Sequence, residues 1–157
     1  MLTTIAGSFS ILIWLYLLLF RGDFWRVRKM LPASIAPAAP SGRIAVIIPA
    51  RNEADVIAQT ITSLLTQSWS VCIFLVDDGS TDGTAEAARK AAGHTTNLTI
   101  IEGQALPAGW SGKLWAVQQG IERARGIAPR FFLLTDANIV HAPENIATLV
   151  SIAETGG

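Results

Sequence analysis

Three apolar segments of this chain each end in a run of polar residues, and this repeated pattern limits the fold more than any other feature. The segments are Ile44–Pro49, Val71–Val76 and Phe131–Thr135. Continuous apolar segments of this kind are typical of strands buried on both faces, as in parallel sheets covered by helices. In an open parallel sheet, ligands bind beyond the carboxyl ends of the strands. The sequence therefore predicts a ligand crevice built from the polar residues that follow these strands.

Apolar residues with helical spacing separate the predicted strands. Between the first two strands, Ile57, Ile61 and Leu64 recur at the interval that places side chains on one helix face. Similar patterns predict helices after the second strand, before the Phe131 strand and near the end of the chain, and a short strand over residues 98–101. Strands that alternate with helices predict an α/β fold with a mostly parallel sheet and right-handed crossovers.

The N-terminal segment differs in character from the rest of the chain. No charged residue occurs from Leu2 to Phe20, and about 20 apolar residues are needed to cross a bilayer. The sequence therefore predicts a single-pass transmembrane helix as an anchor over residues 1–20. A cleaved signal peptide is the alternative, but it carries positive charge before its apolar run, whereas Arg21 and Arg26 follow this one. Basic residues on that side place the remaining chain on the cytoplasmic face of the membrane.

A basic collar and a linker rich in Pro and Ala are predicted over residues 21–42, and a folded domain over residues 43–157. Proline cannot continue a helix, so this linker is expected to be a semi-stiff tether. The chain has 12 Lys and Arg residues against 12 Asp and Glu residues. Nucleic-acid binding needs an excess of clustered basic residues, so no nucleic-acid partner is predicted.

Acidic residues follow the second and the last of these segments, where the crevice is expected. Asp77 and Asp78 are adjacent, and since like charges repel, a bound partner explains them better than packing does. A carboxylate can accept hydrogen bonds from a ribose hydroxyl or a base N–H, with simple turn formation as the alternative. Asp136 and Asn138 are two residues apart, so in an extended chain they point the same way. Their oxygens suit Mg²⁺ or Mn²⁺ shared with phosphates, with a helix or turn cap as the alternative.

Further candidates lie in the loops that open two of the helices. Asn52 is predicted as the N-cap of the first helix of the domain. Lys113 begins another helix after a loop rich in Gly, where backbone N–H groups and a lysine can meet a phosphate. His94 and His141 are isolated in the sequence, and neither is assigned a metal or acid–base role.

Four motifs follow one another along the predicted domain: Val46–Glu53, Val76–Thr84, Gly112–Gly120 and Thr135–Asn138. In order and spacing they resemble the family 2 glycosyltransferases of the GT-A fold, and the resemblance covers about residues 43–155. The segment Leu106–Ala116, together with the predicted anchor, is most similar to the bacterial glycosyltransferases associated with hopanoid (hopene) biosynthesis.

The resemblance implies a Rossmann-like GT-A domain that binds a nucleotide-diphosphate sugar, most often UDP-linked. It also implies transfer of the sugar to a lipid or hopanoid-type acceptor at the bacterial inner (cytoplasmic) membrane. Asp136 and Asn138 would hold a divalent cation, Mg²⁺ or Mn²⁺, on the diphosphate. The donor-binding residues implied by the matching motifs are Pro49, Arg51, Asn52, Glu53, Asp77, Asp78, Lys113 and Asp136.

The sequence departs from the family pattern in two respects. The family's D-x-D motif is Asp136-Ala137-Asn138 here, and the loss of one negative charge should weaken metal binding. The family's second half supplies the catalytic base and the acceptor site, and no such half precedes Gly157. The chain is therefore predicted to be the N-terminal, donor-binding half of such an enzyme, truncated and with no catalytic base assigned. The alternative is a non-catalytic fragment that binds a nucleotide sugar or another partner.

Overall fold

The computed structural model describes residues 2–20 and 43–155. The chain divides into two compact units, residues 1–35 and 36–157. In the first unit, helix α1 covers Leu2–Phe20. Within the described residues, no helix is both long enough and apolar enough to cross a membrane. The structure therefore confirms a helix at the predicted anchor but does not confirm the transmembrane span. The predicted basic collar and linker lie outside the described residues.

The second unit is built on a parallel sheet, as the sequence predicts. In the described part of the chain its strands are β1 (Ile44–Ala50), β2 (Val71–Asp77), β3 (Leu98–Glu102) and β4 (Phe131–Leu134). Their order across the sheet is β3-β2-β1-β4, and every neighbouring pair is parallel. The last residues of three strands are in register, with Ala50 beside Asp77 and Asp77 beside Glu102. The polar segments after these strands consequently begin at the same edge.

Helices cover both faces of this sheet. They are α2 (Ala54–Leu65), α3 (Thr84–Ala92), α4 (Gly112–Arg125) and α5 (Asn145–Thr155). Successive strand residues point to opposite faces, so the core is divided in two. Val46 and Ile48 of β1 pack in one cluster with residues of α2, α3 and α5. Ile47 packs in a second cluster with Ala124 of α4. Among the described helices of the second unit, α4 therefore lies alone on its face of the sheet.

Helix α4 lies very close to the sheet because it contains a glycine at the contact. A Cβ atom added at Gly120 would lie 2.5 Å from Ile47 Cγ2 and 3.2 Å from Val76 Cγ2. Real Cβ atoms essentially never show the first distance and rarely show the second. Any residue other than glycine at position 120 would therefore force the helix or its neighbours in the sheet to shift. The contact at Gly120 therefore sets how close α4 lies to β1 and β2.

Candidate functional site

A cleft of about 360 Å³ lies beyond the carboxyl ends of β1, β2 and β4. It is built from the loop after β1, the residue after β2, the first turns of α4 and the loop after β4. Its lining residues are Pro49, Ala50, Arg51, Glu53, Asp78, Gly112, Lys113, Ala116, Asp136, Ala137 and Asn138. The cleft is therefore where the sequence predicts the ligand crevice.

Most of the residues predicted for the site meet in this cleft. The predicted residues that line it are Pro49, Arg51, Glu53, Asp78, Lys113, Asp136 and Asn138. Asn52 and Asp77 are not among its lining residues. Small residues complete the wall, and Ala116 lies one helical turn after Gly112. Helical spacing from Gly112 could have indicated Ala116 from the sequence.

Ion pairs join basic and acidic side chains within the cleft. Lys113 Nζ lies 2.7 Å from Asp136 Oδ1, with the two side chains 63% and 53% exposed. Arg51 Nη1 lies 3.7 Å from Asp78 Oδ2. Both basic side chains are exposed, while Asp78 is 25% exposed, and ion pairs at the surface contribute only about 0–1 kcal/mol to stability. A charged ligand can therefore rearrange them at little cost.

Asn52 joins the loop after β1 to the loop after β2. Its φ of 55° is in the left-handed region, which Asn tolerates better than most residues. Its backbone N–H donates to Ser80 Oγ at 3.0 Å, and its Oδ1 accepts from the Thr81 N–H at 2.9 Å. The prediction that Asn52 is the N-cap of α2 is wrong, because Glu53 occupies that position. The side chain of Asn52 is used between the loops instead.

Asp82 and Thr84 hold the first turn of α2 from the neighbouring loop. Thr84 Oγ1 accepts from the Glu53 N–H at 2.9 Å, and Asp82 Oδ2 accepts from the Ala54 N–H at 2.9 Å. Thr84 also donates its hydroxyl to Asp82 Oδ1. The hydrogen bond from the Thr84 hydroxyl, followed by that from Ala54, holds the pKa of Asp82 below its ordinary value of 3.8. We call residues 52–54 and 80–84 the loop clasp.

The adjacent carboxylates of Asp77 and Asp78 have different surroundings. Asp77 Oδ1 accepts from the Ser80 N–H at 2.9 Å, so this side chain is part of the turn after β2. Asp78 lines the cleft, and a Cβ atom added at Gly112 would lie 3.1 Å from its Oδ2. Turn formation therefore accounts for one oxygen of Asp77, and Asp78 is the member of this pair that lines the cleft.

His141 is buried behind the loop that carries Asp136 and Asn138, with 8% of its surface exposed. Its Nδ1 is 2.9 Å from Asn145 Nδ2, and its Nε2 is 3.1 Å from Thr135 Oγ1. Burial lowers the pKa of His141 below its ordinary value of 6.5. His141 is isolated from other candidate residues in the sequence but not in the structure. Its backbone N–H donates to Ser63 Oγ, 78 positions away in the chain.

The sequence of residues 45–157 matches the protein family Glycosyl transferase family 2. This chain belongs to that family. Among its relatives, the undecaprenyl-phosphate 4-deoxy-4-formamido-L-arabinose transferase of Salmonella choleraesuis (strain SC-B67) is 30% identical over 129 residues, which cover 76% of this chain and 36% of the relative. The succinoglycan biosynthesis protein ExoU of Rhizobium meliloti (strain 1021) is 39% identical over 64 residues, 41% of this chain and 18% of the relative. The matched part of this chain thus covers 36% of the length of the first of these relatives and 18% of the second.

Solved structures share the fold of this family 2 chain. The mannosyltransferase PcManGT from Pyrobaculum calidifontis, in complex with GDP-Man and Mn²⁺, has a TM-score of 0.62 and 24% identity, covering 96% of this chain and 42% of that one. TarS from S. aureus, in complex with UDP-GlcNAc, has a TM-score of 0.58 and 25% identity, covering 71% and 31%. These similarities confirm the predicted GT-A-like fold with its mostly parallel sheet.

The side-chain oxygen atoms of Asp136 and Asn138, which follow β4, fit a divalent cation that is shared with a bound ligand. Asp136 offers a carboxylate and Asn138 an amide oxygen, and both side chains line the cleft. Mg²⁺ is commonly held by one or two carboxylates together with substrate phosphates. Among the described residues, no group of three or more His, Cys, Asp or Glu could hold a metal ion by itself. The arrangement in this family 2 chain therefore suits a cation completed by ligand oxygens.

Proposed function

We propose that this chain binds a nucleotide-diphosphate sugar together with a divalent cation, as the donor-binding part of a glycosyltransferase. The observation that carries the proposal is the meeting of Asp78, Lys113, Asp136 and Asn138 in one cleft. They come from separate segments of the chain and combine carboxylates, an amide and an ammonium group. This combination suits a metal-bound diphosphate. Membership of glycosyl transferase family 2 supports the same function.

The charged residues of the cleft have distinct proposed roles. Lys113 and Arg51 would bind diphosphate oxygens, because both side chains are exposed and their surface ion pairs can rearrange when an anion enters. Asp78 would accept hydrogen bonds from the nucleoside. Asp136 and Asn138 would hold the cation, which offsets the negative charge that develops on the leaving diphosphate.

UDP is the proposed nucleotide, and a lipid-type molecule is the proposed acceptor. The TarS structure with UDP-GlcNAc supports the nucleotide. The undecaprenyl-phosphate named in the Salmonella relative supports a lipid phosphate as acceptor. A hopanoid-type acceptor and an anchor in the bacterial inner membrane, with the domain on the cytoplasmic side, are proposed from the sequence alone.

A non-catalytic nucleotide-sugar-binding fragment is the second candidate function. Asn138 favours it, because an amide in place of a second carboxylate offers the cation less negative charge. Both candidates bind the donor, but only an active transferase releases UDP from UDP-sugars when an acceptor is present. Release of UDP by the full chain would therefore exclude the non-catalytic alternative.

Calorimetry on the full 157-residue chain tests donor binding. We expect UDP to bind, and Mn²⁺ to tighten its binding. Asp136→Asn should reduce the effect of Mn²⁺ by at least about tenfold, since even residues that only orient metal ligands are typically worth 10- to 100-fold. Glu122→Gln, which removes a carboxylate outside the cleft, is the matched control and should bind as the wild type does.

The Asn138→Asp variant tests the metal site in the same titrations. A second carboxylate should tighten Mn²⁺-dependent binding of UDP, because it adds a negative charge beside Asp136. Unchanged affinity would mean that position 138 does not contact the metal. If a folded wild-type chain gives no heat with UDP or any other nucleoside diphosphate, the proposed function itself is refuted.

A further inference from the structure

We infer that His141 is a positioning residue, which holds the Asp136–Asn138 loop in the conformation that receives the cation and the diphosphate. This inference rests on the proposed function, because it concerns the same site. His141 lies in the connection between β4 and α5, and it is not among the residues that line the cleft. It therefore acts through the loop and does not touch the ligand.

The imidazole of His141 links the two ends of this connection. Its Nε2 is 3.1 Å from Thr135 Oγ1, directly before Asp136 in the chain. Its Nδ1 is 2.9 Å from Asn145 Nδ2, at the first residue of α5. An amide NH₂ can only donate, so Nδ1 accepts from Asn145 and Nε2 carries the hydrogen that is donated to Thr135. Neutral His141 thus has one donor and one acceptor, and each has a partner.

Helix α2 and the turn that follows it hold the same connection. The His141 backbone N–H donates to Ser63 Oγ at 3.0 Å. Thr60 Oγ1 donates to the Ala137 carbonyl at 2.7 Å, and Gln67 Nε2 donates to the Ala142 carbonyl at 2.8 Å. Thr60 and Ala137 are buried, with 0% and 3% of their surfaces exposed. These partners are 75 to 78 residues away in the chain, so tertiary packing sets the conformation of the loop.

The fixed residue Ala137 lies between the two proposed metal ligands. Asp136 and Asn138 are exposed on either side of it, so their direction depends on a backbone that is held from the interior. Buried polar groups that lose a partner are costly. Loss of the His141 ring bonds should therefore let Thr135 and Asn145 move, and with them the backbone that aims Asp136 and Asn138.

The test compares His141→Phe with Val150→Ala, a cavity-forming change in the core on α5 (5% exposed in the wild type). Affinity of the full chain for UDP is measured with Mn²⁺ and with EDTA. His141→Phe should keep its affinity in EDTA but lose about tenfold of the tightening by Mn²⁺, as is typical for residues that orient metal ligands. Val150→Ala should keep the full effect of Mn²⁺ although it also destabilises the domain. His141→Gln, whose amide can donate to Thr135, should recover part of the loss.

Amide hydrogen exchange without any ligand provides a second measurement. Residues 136–142 should exchange faster in His141→Phe than in the wild type, and Val150→Ala should not show this local change. If His141→Phe does not fold, Thr60→Val, which removes the bond to the Ala137 carbonyl, is measured in the same way.

The possible outcomes separate the two proposals. A folded wild type that shows no Mn²⁺-dependent binding of UDP or of any other nucleoside diphosphate refutes the proposed function and the inference with it. A wild type that binds, with His141→Phe no different from Val150→Ala in the effect of Mn²⁺ or in local exchange, overturns the inference alone.

Discussion

Thr84 joins two helix N-termini through one buried hydroxyl group. Its side chain has 0% exposure, accepts from the Glu53 N–H and donates to Asp82, which in turn accepts from the Ala54 N–H. The first turn of α2 therefore takes its hydrogen-bond partners from the loop before α3 and from the first residue of α3. Glu53 also lines the cleft, so the loop clasp determines where one wall of the site lies.

Replacement of Thr84 by Val should show how much the loop clasp contributes to stability. Val has nearly the same shape but leaves the Glu53 N–H without its partner, and such a loss typically costs about 1–3 kcal/mol. Urea denaturation should give a free energy of unfolding that is lower by this amount. Thr84→Ser keeps the hydroxyl and is the control. A loss in Thr84→Ser with no loss in Thr84→Val would mean that the methyl group, and not the hydrogen bonds, matters.

Helix α4 carries Lys113 to the cleft from the side of the sheet opposite to α2 and α5. Its position depends on the close approach at Gly120, where the backbone lies against Ile47 and Val76. A larger residue would push the helix away from the sheet. Since Gly112 and Lys113 occupy the first turn of the same helix, displacement at Gly120 would also reach the cleft.

Gly120→Ala should destabilise the protein even though Ala favours helices. Overpacking typically costs about 1–3 kcal/mol, which exceeds the helix-propensity gain of about 1 kcal/mol or less. Gly126→Ala is the matched control at the end of α4. Its φ is −60°, and an added Cβ would lie 3.6 Å from the Arg123 carbonyl oxygen, an ordinary contact distance. Chemical denaturation should give a lower free energy of unfolding for Gly120→Ala only. Similar values for both variants would refute the close-packing argument.

Across the whole domain, two ionisable groups make stability depend on pH in separate ranges. The pKa of His141 is lowered by burial, so below about pH 6.5 the unfolded chain takes up a proton that the folded chain does not. The free energy of unfolding therefore falls as the pH drops from about 6.5 to the folded-state pKa of His141. The pKa of Asp82 is lowered from its ordinary value of 3.8. Ionised Asp82 therefore stabilises the folded chain above about pH 3.8, and this contribution is lost as the pH falls through the folded-state pKa.

The free energy of unfolding of the wild type should decrease between about pH 7.5 and pH 5 because of His141. His141→Gln should reduce this decrease, because Gln does not titrate. His94→Gln is the control, since His94 is exposed, and it should retain the wild-type slope. Denaturation curves at several pH values measure the effect. A slope that disappears with His94→Gln and persists with His141→Gln would contradict the assignment.

The sequence predicts those parts of the domain that depend on local patterns. The strands around Ile47 and Val76 and the helix with Ile57 could be located because apolar spacing reports burial directly. The meeting of Asp78 with Asp136 followed from strand ends in a parallel sheet. Hydrogen bonds between distant residues have no local signal, so the loop clasp and the partners of His141 were not predicted. The N-cap of α2 was placed wrongly for the same reason, since the partner of the Ala54 N–H in the first turn is Asp82, from another loop.

The order β3-β2-β1-β4 also has a consequence for how the domain is made. β1, β2 and β3 all lie within residues 44–102, so they can pair as soon as that stretch has left the ribosome. β4 begins at Phe131 and must return to β1 after the other strands have been synthesised. Because synthesis runs from the N-terminus, Asp78 leaves the ribosome before Asp136 does. Of the described strands, β4 is the last to be translated, and it completes the cleft.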